Sequence, residues 1–301
     1  MKIVVTGGTG FLGKELVPQL LERGHEVILL SRNPEKAQST FQSKVKSYTW
    51  DAEKDPVPVE ALAGAGAVIH LVGENVGAGR WTDSIKKKIY DSRIESGKCI
   101  AESLKKSDVE FPLLIAASAI GIYGSAGDTQ VDESSSHGTG FLAEVCEGWE
   151  GILKDAKVAR HVTLRFGVIF GKDGGALAKL LPIFKLGMGG KIGDGKRWMS
   201  WIHLEDAAGL ILHALDSPEM NGIFNGVAPT PATNEEFTNA LGEGLGRPTS
   251  LPVPPFALRL AFGQMADETI LASQRVLPNR TLKSGYRYRY PELVSALKSV
   301  L

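Results

Sequence analysis

The chain has 301 residues, 43% hydrophobic and 23% charged, which is enough for a large core and two lobes. The chain has 34 basic residues (lysine plus arginine) and 34 acidic residues (aspartate plus glutamate), so its formal net charge is zero. No overall electrostatic field would therefore attract nucleic acid or an anionic membrane. With only two cysteines, the chain has no disulfide framework, and it shows no Cys/His cluster with the spacing of a zinc site. It also has no apolar run long enough to cross a bilayer. We therefore expect a cytoplasmic protein.

The first 30 residues predict a strand, a glycine turn, a helix and a second strand. Residues 3–5 are β-branched and continuous, as in a strand buried on both faces, and EVILL at 26–30 is similar. Between them Gly7, Gly10 and Gly13 follow the order G-x-x-G-x-x-G. Such glycines let a pyrophosphate approach the backbone at a helix N-terminus. The alternative, a glycine turn without a ligand, is disfavoured by this context, and the unit predicts a bound dinucleotide.

The end of the second strand bears on which dinucleotide binds. Units that bind NAD usually place an acidic residue there to hold the ribose hydroxyls, but this strand runs into Ser31 and Arg32 without an acid. Arg32 could pair with a 2′-phosphate, which a carboxylate would repel. The alternative is that Arg32 is a solvated loop cation. We therefore favour NADP(H), with NAD(H) as the less favoured cofactor.

The next two predicted strands contribute further positions at the carboxyl edge of the sheet. Residues 45–51 form a short strand ending in Asp51, which could reach the adenine edge. Residues 67–75 form a buried strand whose end, at residues 71–73, faces the crevice by topology. His70 precedes that turn, and an isolated histidine there is more often a structural hydrogen-bonding group than a catalyst.

A helix at about 82–106, which contains Arg93, precedes a fifth strand that stops at Ser118 and a turn with Tyr123. A sixth strand at 160–171 carries Arg165. Beyond residue 171 the sequence predicts a helix, a glycine-rich crossing, a strand at 200–203, a helix at 207–215 and a last short strand. Helices follow, including 251–263, 269–277 and one from Pro291.

These elements predict an α/β protein with a Rossmann-type, doubly wound parallel sheet and a smaller, mainly helical C-terminal lobe. Residues 1–170 with about 200–228 would form the NADP-binding domain. About 171–199 with 229–301 would form a lobe on the substrate side, closing a cleft over the cofactor.

Five segments together carry a family resemblance. In chain order they are TGGTGFLG at 6–13, IHLVG at 69–73, SAIGIYG at 118–124, LRFGVIFG at 164–171 and WIHLEDAA at 201–208. In this order and spacing they resemble the extended short-chain dehydrogenase/reductases, which include nucleotide-sugar epimerases. Segments such as GENVGAGRW and LPVPPFALRL are similar to a narrower, NADP-binding branch with a C-terminal domain of unknown function.

The resemblance implies cofactor contacts along the carboxyl edge of the sheet. Together with Asp51, the expected cofactor residues are Gly7, Thr9, Gly10, Phe11, Leu12, Gly13, Ser31, Arg32, Leu71, Val72, Gly73, Arg93, Ser118 and Val168. In epimerase-type relatives, a serine or threonine after the fifth strand polarises the substrate oxygen, and Ser118 is nearest to that role.

The same relatives carry a Y-x-x-x-K pair on the next helix, which moves the proton that accompanies hydride transfer. Here FLAEVCEGWE at 141–150 occupies that helix. Aligning Glu150 with the acidic residue often found after the lysine puts Leu142 and Cys146 in the two positions. A shift of one residue puts Phe141 and Val145 there. Neither register supplies a proton donor or a cation.

Several residues are candidates to replace the missing acid. Tyr123 is the tyrosine of the Ser118 turn, although such tyrosines usually pack against the ligand. Cys146 is a candidate redox thiol, but it lies on an apolar helix stripe, where cysteine is usually inert packing. The loop before the helix carries three carboxylates that would either act from a lid or simply be solvated, namely Asp128, Asp132 and Glu133.

Basic and aromatic residues mark a candidate substrate site. Lys196, Arg197 and Trp198 lie where epimerase relatives grip the diphosphate of a nucleotide-sugar, and arginine pairs well with phosphate. The alternative is that the tryptophans pack the two lobes together and the cations are exposed. Arg80 lies near the predicted crevice mouth.

Two functional hypotheses remain. One is an NADP-dependent, epimerase-like oxidoreductase without Y-x-x-x-K, acting on a small polar or nucleotide-sugar-like molecule. The other is a dinucleotide-binding sensor or scaffold that kept the fold and lost the chemistry. A protein-interaction role for the C-terminal lobe is a weaker third. The sequence leaves the oligomeric state open, with a homodimer as one candidate.

Overall fold

The structure is a computed structural model that describes residues 1–106 and 111–301. The strands of the described residues are β1 (Lys2–Thr6), β2 (Glu26–Ser31), β3 (Lys46–Thr49), β4 (Ala65–His70), β5 (Phe111–Ala119), β6 (Gln130–Val131), β7 (Val158–Phe166), β8 (Val168–Phe170), β9 (Trp198–Met199), β10 (Trp201–His203), β11 (Gly222–Gly226), β12 (Ala232–Thr233) and β13 (Arg275–Val276). The helices are α1 (Phe11–Glu22), α2 (Pro34–Thr40), α3 (Val59–Leu62), α4 (Asp83–Lys105), α5 (Phe141–Lys154), α6 (Leu177–Lys185), α7 (Leu204–Asp216), α8 (Asn234–Leu245), α9 (Pro255–Phe262), α10 (Asn279–Lys283) and α11 (Leu293–Val300).

Seven strands form one parallel sheet in the order β11-β7-β5-β4-β1-β2-β3. The chain moves outward from β1 through β2 to β3, then returns to the other side of β1 with β4. The switch point therefore lies between β1 and β4, and ligands of such sheets bind at the carboxyl ends of the two strands. The predicted doubly wound Rossmann-type sheet is confirmed.

Helices cover both faces of this sheet because its central strands are apolar throughout. Side chains of α1 and α7 pack on one face, in a core that contains Leu16, Leu20 and Leu210. Side chains of α4 and α5 pack on the other, where Ile100 and Trp149 are buried. Strands buried on both faces read as continuous hydrophobic runs, which explains why they were recognisable in the sequence.

A separate core lies where the C-terminal lobe packs against β8 and β10. Phe170 stacks on Trp201 and Phe237, with ring centroids 5.5 and 5.4 Å apart, and the apolar side of α11 closes this core. The lobe is mainly helical, as predicted. The exact division of the chain into 1–170 with 200–228 and 171–199 with 229–301 stays a prediction.

Two predicted elements were wrong in detail. The strand predicted at 160–171 breaks at Gly167, where a Cβ atom would lie 2.5 Å from the Ser200 carbonyl oxygen, so β7 stays in the main sheet while β8 pairs with β10. The helix predicted at 269–277 is instead the end of a π-helical turn at 266–270 followed by β13, which pairs with β6. Both structures depend on strand pairing between distant segments, which the local hydrophobic period of the sequence does not predict.

The last segment of the chain is fastened to the sheet domain by one buried carboxylate. Asp206, at the start of α7, accepts hydrogen bonds from the backbone N–H groups of Arg289 and Tyr290 at 2.7 and 2.9 Å. The Tyr286 hydroxyl donates to it as well. Among the described helices, none is both long and apolar enough to cross a membrane.

Candidate functional site

The glycine turn after β1 forms a cradle that side chains would fill. A Cβ atom at Gly7 would lie 2.9 Å from the Leu71 carbonyl, and one at Gly13 would lie 2.5 Å from the Gly7 oxygen. Gly7 also has φ +69°, which favours glycine. No side chain in the described part of the chain caps the following helix at Gly10, and its first turn holds no acidic residue. Its backbone N–H groups are therefore available to an anion.

The turn's non-glycine residues are divided between backbone and packing roles. The ring of Phe11 lies against a second glycine run, because Cβ atoms at Gly171, Gly174 and Gly175 would come within 2.5–3.0 Å of it. These later glycines thus make room for Phe11, a reason that the sequence did not reveal. Thr9 and Leu12 flank the cradle and are half-buried.

The end of β2 leaves a cation exposed. Ser31 accepts a hydrogen bond from the Asn33 N–H at 3.1 Å and so shapes the turn. Arg32 is exposed and forms no ion pair with any described residue. Asp51 pairs with Lys54 at 3.0 Å, and this contact, with Arg32 nearby, lowers the pKa of Asp51. The edge therefore has a free guanidinium and an ionised carboxylate.

The end of β4 lies against a buried arginine. Leu71 donates its N–H to the Thr6 hydroxyl at 3.1 Å, which brings residues 71–73 beside the glycine cradle. A Cβ atom at Gly73 would lie 2.9 Å from the Arg93 guanidinium, which also sits over the Trp149 ring at 5.2 Å. Burial lowers the pKa of Arg93, and no carboxylate of the described residues forms a salt bridge with it.

His70 is structural in its contacts. Its Nδ1 and Nε2 atoms lie 2.8 Å from the Thr6 hydroxyl and 3.2 Å from the Ser96 hydroxyl. The side chain is fully buried, and burial lowers its pKa to about 3. The imidazole is therefore neutral and joins β4 to β1 and α4.

Ser118 belongs to a buried polar network at the ends of β5 and β7. Its hydroxyl donates to Glu150 Oε1 at 2.6 Å. Arg165 grips the same carboxylate with Nε at 2.8 Å and Nη2 at 2.7 Å. Burial alone would lower the pKa of Arg165, but Glu150 outweighs it and raises that pKa above its ordinary value. The Ser118 proton is thus held by a carboxylate, and the hydroxyl also lies beside the buried Cys146 thiol.

Tyr123 lies on the far side of the same network. Its hydroxyl accepts from Arg165 Nη1 at 2.9 Å and donates to Asn225 Oδ1 at 2.8 Å. The ring is buried, and burial raises the pKa of the hydroxyl. Its role as a proton donor stays a prediction, because in this arrangement its proton is engaged by Asn225.

Helix α5 shows which residues face the Ser118 turn. A Cβ atom at Gly121 would lie 3.2 Å from Leu142 and 3.9 Å from the Cys146 sulfur. Phe141 and Val145 pack in the apolar cluster around Trp81, which Leu142 also touches, and neither of them is among the three nearest contacts within 4 Å of a Cβ atom at Gly121. The first register is thus the one whose side chains point to the turn. Burial raises the pKa of Cys146 to about 11, so its thiol is protonated at neutral pH.

The three loop carboxylates have structural partners. Asp128 accepts from the Trp198 indole at 2.5 Å, and Asp132 accepts from Asn279 at 2.8 Å. Glu133 Oε1 accepts the N–H groups of Asn225 and Arg280, while its Oε2 is buried without a partner among the described residues. These contacts tie the loop both to the C-terminal lobe and to β11 of the main sheet.

The candidate substrate residues lie at separate places around the lobe. Arg80 donates to the Leu260 carbonyl at 2.9 Å. Arg275 lies over the Trp198 ring at 4.2 Å. Lys196 is exposed, and one Arg197 guanidinium nitrogen is buried without a partner in the described part of the chain. The structure therefore does not bring Arg80 into contact with the Lys196–Trp198 group.

One residue that the sequence did not single out contacts the site helix directly. Glu268, in the C-terminal lobe, accepts the backbone N–H groups of Phe141 and Leu142 at 3.1 and 2.8 Å. Nothing local marks this contact, because 126 residues separate Glu268 from Leu142.

Fold and site together define a Rossmann-type protein with a dinucleotide cradle at its switch point. The chain belongs to the NAD dependent epimerase/dehydratase family, whose pattern matches residues 3–225, and a domain of unknown function (DUF1731) matches residues 253–300. The predicted family and its C-terminal domain are confirmed.

Proteins similar to this chain over its full length include curated relatives and solved structures. An Arabidopsis thaliana protein, "Epimerase family protein SDR39U1 homolog, chloroplastic", is 38% identical over all of this chain and 87% of its own. The crystal structure of human epimerase family protein SDR39U1 (isoform2) with NADPH is 34% identical, with TM-score 0.89, covering 100% of this chain and 99% of that one. A Thermotoga maritima UDP-glucose 4-epimerase, 19% identical with TM-score 0.80 over 100% and 97% of the two chains, shares the fold.

Proposed function

We propose that this protein binds NADP(H) at the carboxyl ends of β1, β2 and β4. The observation that carries the proposal is the uncapped start of α1 beneath a glycine cradle, together with Arg32, which is exposed and has no ion-pair partner in residues 1–106 and 111–301. Those N–H groups would hold the pyrophosphate, and Arg32 with Ser31 would hold the 2′-phosphate. A human relative of similar length was crystallised with NADPH, which supports the same choice.

The other predicted cofactor residues fit this placement. Leu71, Val72 and Gly73 border the cradle, and Arg93 lies directly behind Gly73. Asp51 would lie at the adenine edge, and Val168 and Ser118 would lie towards the nicotinamide. NADP(H) supplies a hydride donor or acceptor when bound, and the chain supplies the position and the surrounding charge.

Calorimetric titration with NADPH and NADH tests the cofactor. We expect NADPH to bind more tightly, and Arg32→Asp to weaken NADPH binding by about 10- to 100-fold, since charge-assisted hydrogen bonds contribute roughly 1.5–3 kcal/mol. Arg287→Asp is the matched control, because Arg287 is exposed and lies in the C-terminal segment away from the cradle. Equal affinities of the parent for NADPH and NADH would contradict the proposal.

We further propose an oxidoreductase of the epimerase type with an atypical site. Ser118 would contact the substrate oxygen, and Tyr123 would support it through Arg165 and Glu150. Because Glu150 holds the Ser118 proton, the serine oxygen is arranged to accept a hydrogen bond from a substrate hydroxyl. This favours a small polar, hydroxyl-bearing substrate such as a nucleotide-sugar, with Arg80, Lys196, Arg197 and Trp198 as its proposed contacts.

The second candidate is an NADP(H)-binding sensor or scaffold with little or no turnover. It is favoured by Leu142 and Cys146, which face the Ser118 turn where a tyrosine and a lysine would be expected. Without a positioned acid or base, proton transfer loses roughly 10²- to 10⁴-fold in rate.

Turnover of sugar nucleotides separates the two candidates. Epimerisation or NADPH oxidation that falls much more in Ser118→Ala than NADPH affinity does would support the enzyme. Unchanged turnover in Ser118→Ala would remove Ser118 from the site. Tight NADPH binding without turnover across sugar-nucleotide and carbonyl libraries would favour the sensor.

We propose a cytoplasmic protein whose partner is a small molecule, and a homodimer as its assembly. Sedimentation of the purified chain tests the assembly, because a single species of about 32 kDa would contradict the dimer.

A further inference from the structure

Helix α5 has no cap of its own. It begins after Gly140, whose φ is +112° and which provides no side chain to accept the first N–H groups. The first N–H groups of any helix lack partners within the helix and must find acceptors elsewhere. Here the acceptor is Glu268, whose two carboxylate oxygens lie 3.1 Å from the Phe141 nitrogen and 2.8 Å from the Leu142 nitrogen.

The carboxylate is held in place for this contact. Gln264 donates to Glu268 Oε1 at 2.7 Å from the same turn of the C-terminal domain. A Cβ atom at residue 140 would lie 3.1 Å from Glu268 Oε2, so glycine also leaves the carboxylate room to approach. A negative charge at a helix N-terminus is favoured by the helix dipole.

The segment that carries Glu268 is attached by both apolar and polar contacts. Met265 is buried in the apolar cluster that contains Ile89 of α4 and Val145 of α5, although no residue of α9 itself is buried. Arg80 donates to the Leu260 carbonyl at 2.9 Å, and Lys86 donates to Gln264 at 3.1 Å while lying 4.8 Å over the Phe141 ring. Together with Glu268, these contacts join residues 255–270 to the loop before α4, to α4 and to α5.

We infer that Glu268 is a positioning residue by which the C-terminal domain sets the first turn of the active-site helix. Leu142, which receives one of its hydrogen bonds, faces the Ser118 turn together with Cys146. This coupling rests on the proposed NADP(H) site, which lies at the same edge of the sheet. Because coupling between two sites is reciprocal, cofactor binding and the Glu268 contact strengthen each other.

Amide hydrogen exchange of the cofactor-free protein tests the contact itself. The variants are Glu268→Gln, which retains one acceptor oxygen, and Glu268→Ala, which retains none. We expect exchange at Phe141 and Leu142 to accelerate by about tenfold in Glu268→Ala and by less in Glu268→Gln. Asp267→Asn is the matched control, since Asp267 is the neighbouring acid but pairs with Arg259 within its own segment at 2.8 Å. Unchanged exchange in Glu268→Ala would overturn the inference.

Titration with NADPH tests the coupling. We expect Glu268→Ala to weaken NADPH binding by about fivefold, and NADPH to slow exchange at Phe141 and Leu142 in the parent but not in the variant. An unchanged affinity with accelerated exchange would overturn the positioning role and leave a cap that serves stability alone. Failure of the parent to bind NADPH would contradict the proposed function instead, and exchange without cofactor would still decide the cap.

Discussion

A few buried polar residues determine how charge is arranged around the candidate site. Arg165 is 1% exposed and Glu150 12% exposed, and each satisfies the other through two hydrogen bonds. Such a pair contributes modestly to stability when intact, whereas removal of one partner leaves an uncompensated buried charge. Glu150 of this pair also holds the Ser118 hydroxyl in position, so loss of the pair would also affect the proposed chemistry.

Glu150→Leu should therefore destabilise the protein by about 3–5 kcal/mol, because it leaves the Arg165 guanidinium buried without its carboxylate. The double variant Glu150→Leu with Arg165→Met should recover much of the loss, since it removes both charges. Urea unfolding of the three proteins measures this. If the double variant were as unstable as the single one, the unpaired charge would not be the cause.

His70 predicts an acid dependence of stability. Its pKa is about 3 in the folded protein, through burial, against 6.5 when unfolded. The neutral imidazole therefore contributes fully above pH 6.5, and the contribution is lost as the pH falls from 6.5 towards 3. Between pH 7 and pH 5 this amounts to about 2 kcal/mol. His70→Gln should reduce the change in unfolding free energy over that interval by this amount, and an unaltered pH dependence would contradict the assignment.

Single residues show the limit of what the sequence predicted at this scale. Gly7 and Gly13 were recognisable because the turn between strand and helix gives them one known role. His70 was predicted to be structural because an isolated histidine at the end of a strand is more often a hydrogen-bonding group than a catalyst. The hydrogen-bond partners of Ser118 and Tyr123 could not be predicted from the sequence. Glu150, Arg165 and Asn225 are distant in the chain and come together only through the fold of the sheet.

For helix α5, the sequence predicted the helix and its buried side but could not determine which residues face the Ser118 turn. Its apolar period predicted the helix and its buried side, which includes Val145, Cys146 and Trp149. The two registers for the missing tyrosine and lysine could not be separated by sequence alone. Packing against Gly121 distinguishes them, since Leu142 and Cys146 lie on that side.

Introducing a lysine at position 146 should lower the stability of the folded protein. The site is buried and adjacent to Arg93, so an ammonium there would lose solvation and meet a like charge. We expect Cys146→Lys to lower the melting temperature by roughly 5–10 °C, whereas Cys146→Val, which keeps size and polarity, should change it little. Thermal denaturation followed by circular dichroism compares them. Equal melting temperatures would show that position 146 reaches solvent.

At the scale of the whole molecule, the sheet domain and the C-terminal segments are interleaved. Strand β13 pairs with β6, and Asp206 holds residues 286–290 against α7. The parallel sheet was predictable, since each of its main strands reads as a local apolar run. The interleaving was not, because it consists of hydrogen bonds between segments that share no local pattern.

Asp206→Ala should release the last segment of the chain. It removes the acceptors of the Arg289 and Tyr290 N–H groups and leaves both donors unpaired, whereas the Tyr286 hydroxyl keeps its hydrogen bond to the residue 206 backbone carbonyl. We expect trypsin to cut at the exposed Arg287 and Arg289 about tenfold faster than in the parent. Asp216→Ala is the control, because Asp216 forms an exposed ion pair with Arg23. Equal cleavage rates in the parent and Asp206→Ala would contradict this role.

The long separation between Glu268 and α5 also has a consequence for biosynthesis. A ribosome makes residues 1–226, with every strand of the main sheet, well before residue 268 is polymerised. The nascent sheet domain can therefore assemble while the N-terminal amides of α5 are still bound to water. Helix α5 would reach its final form only after residue 268 has been added, so a product released earlier would be folded in its sheet but would lack the cap on the helix beside the Ser118 turn.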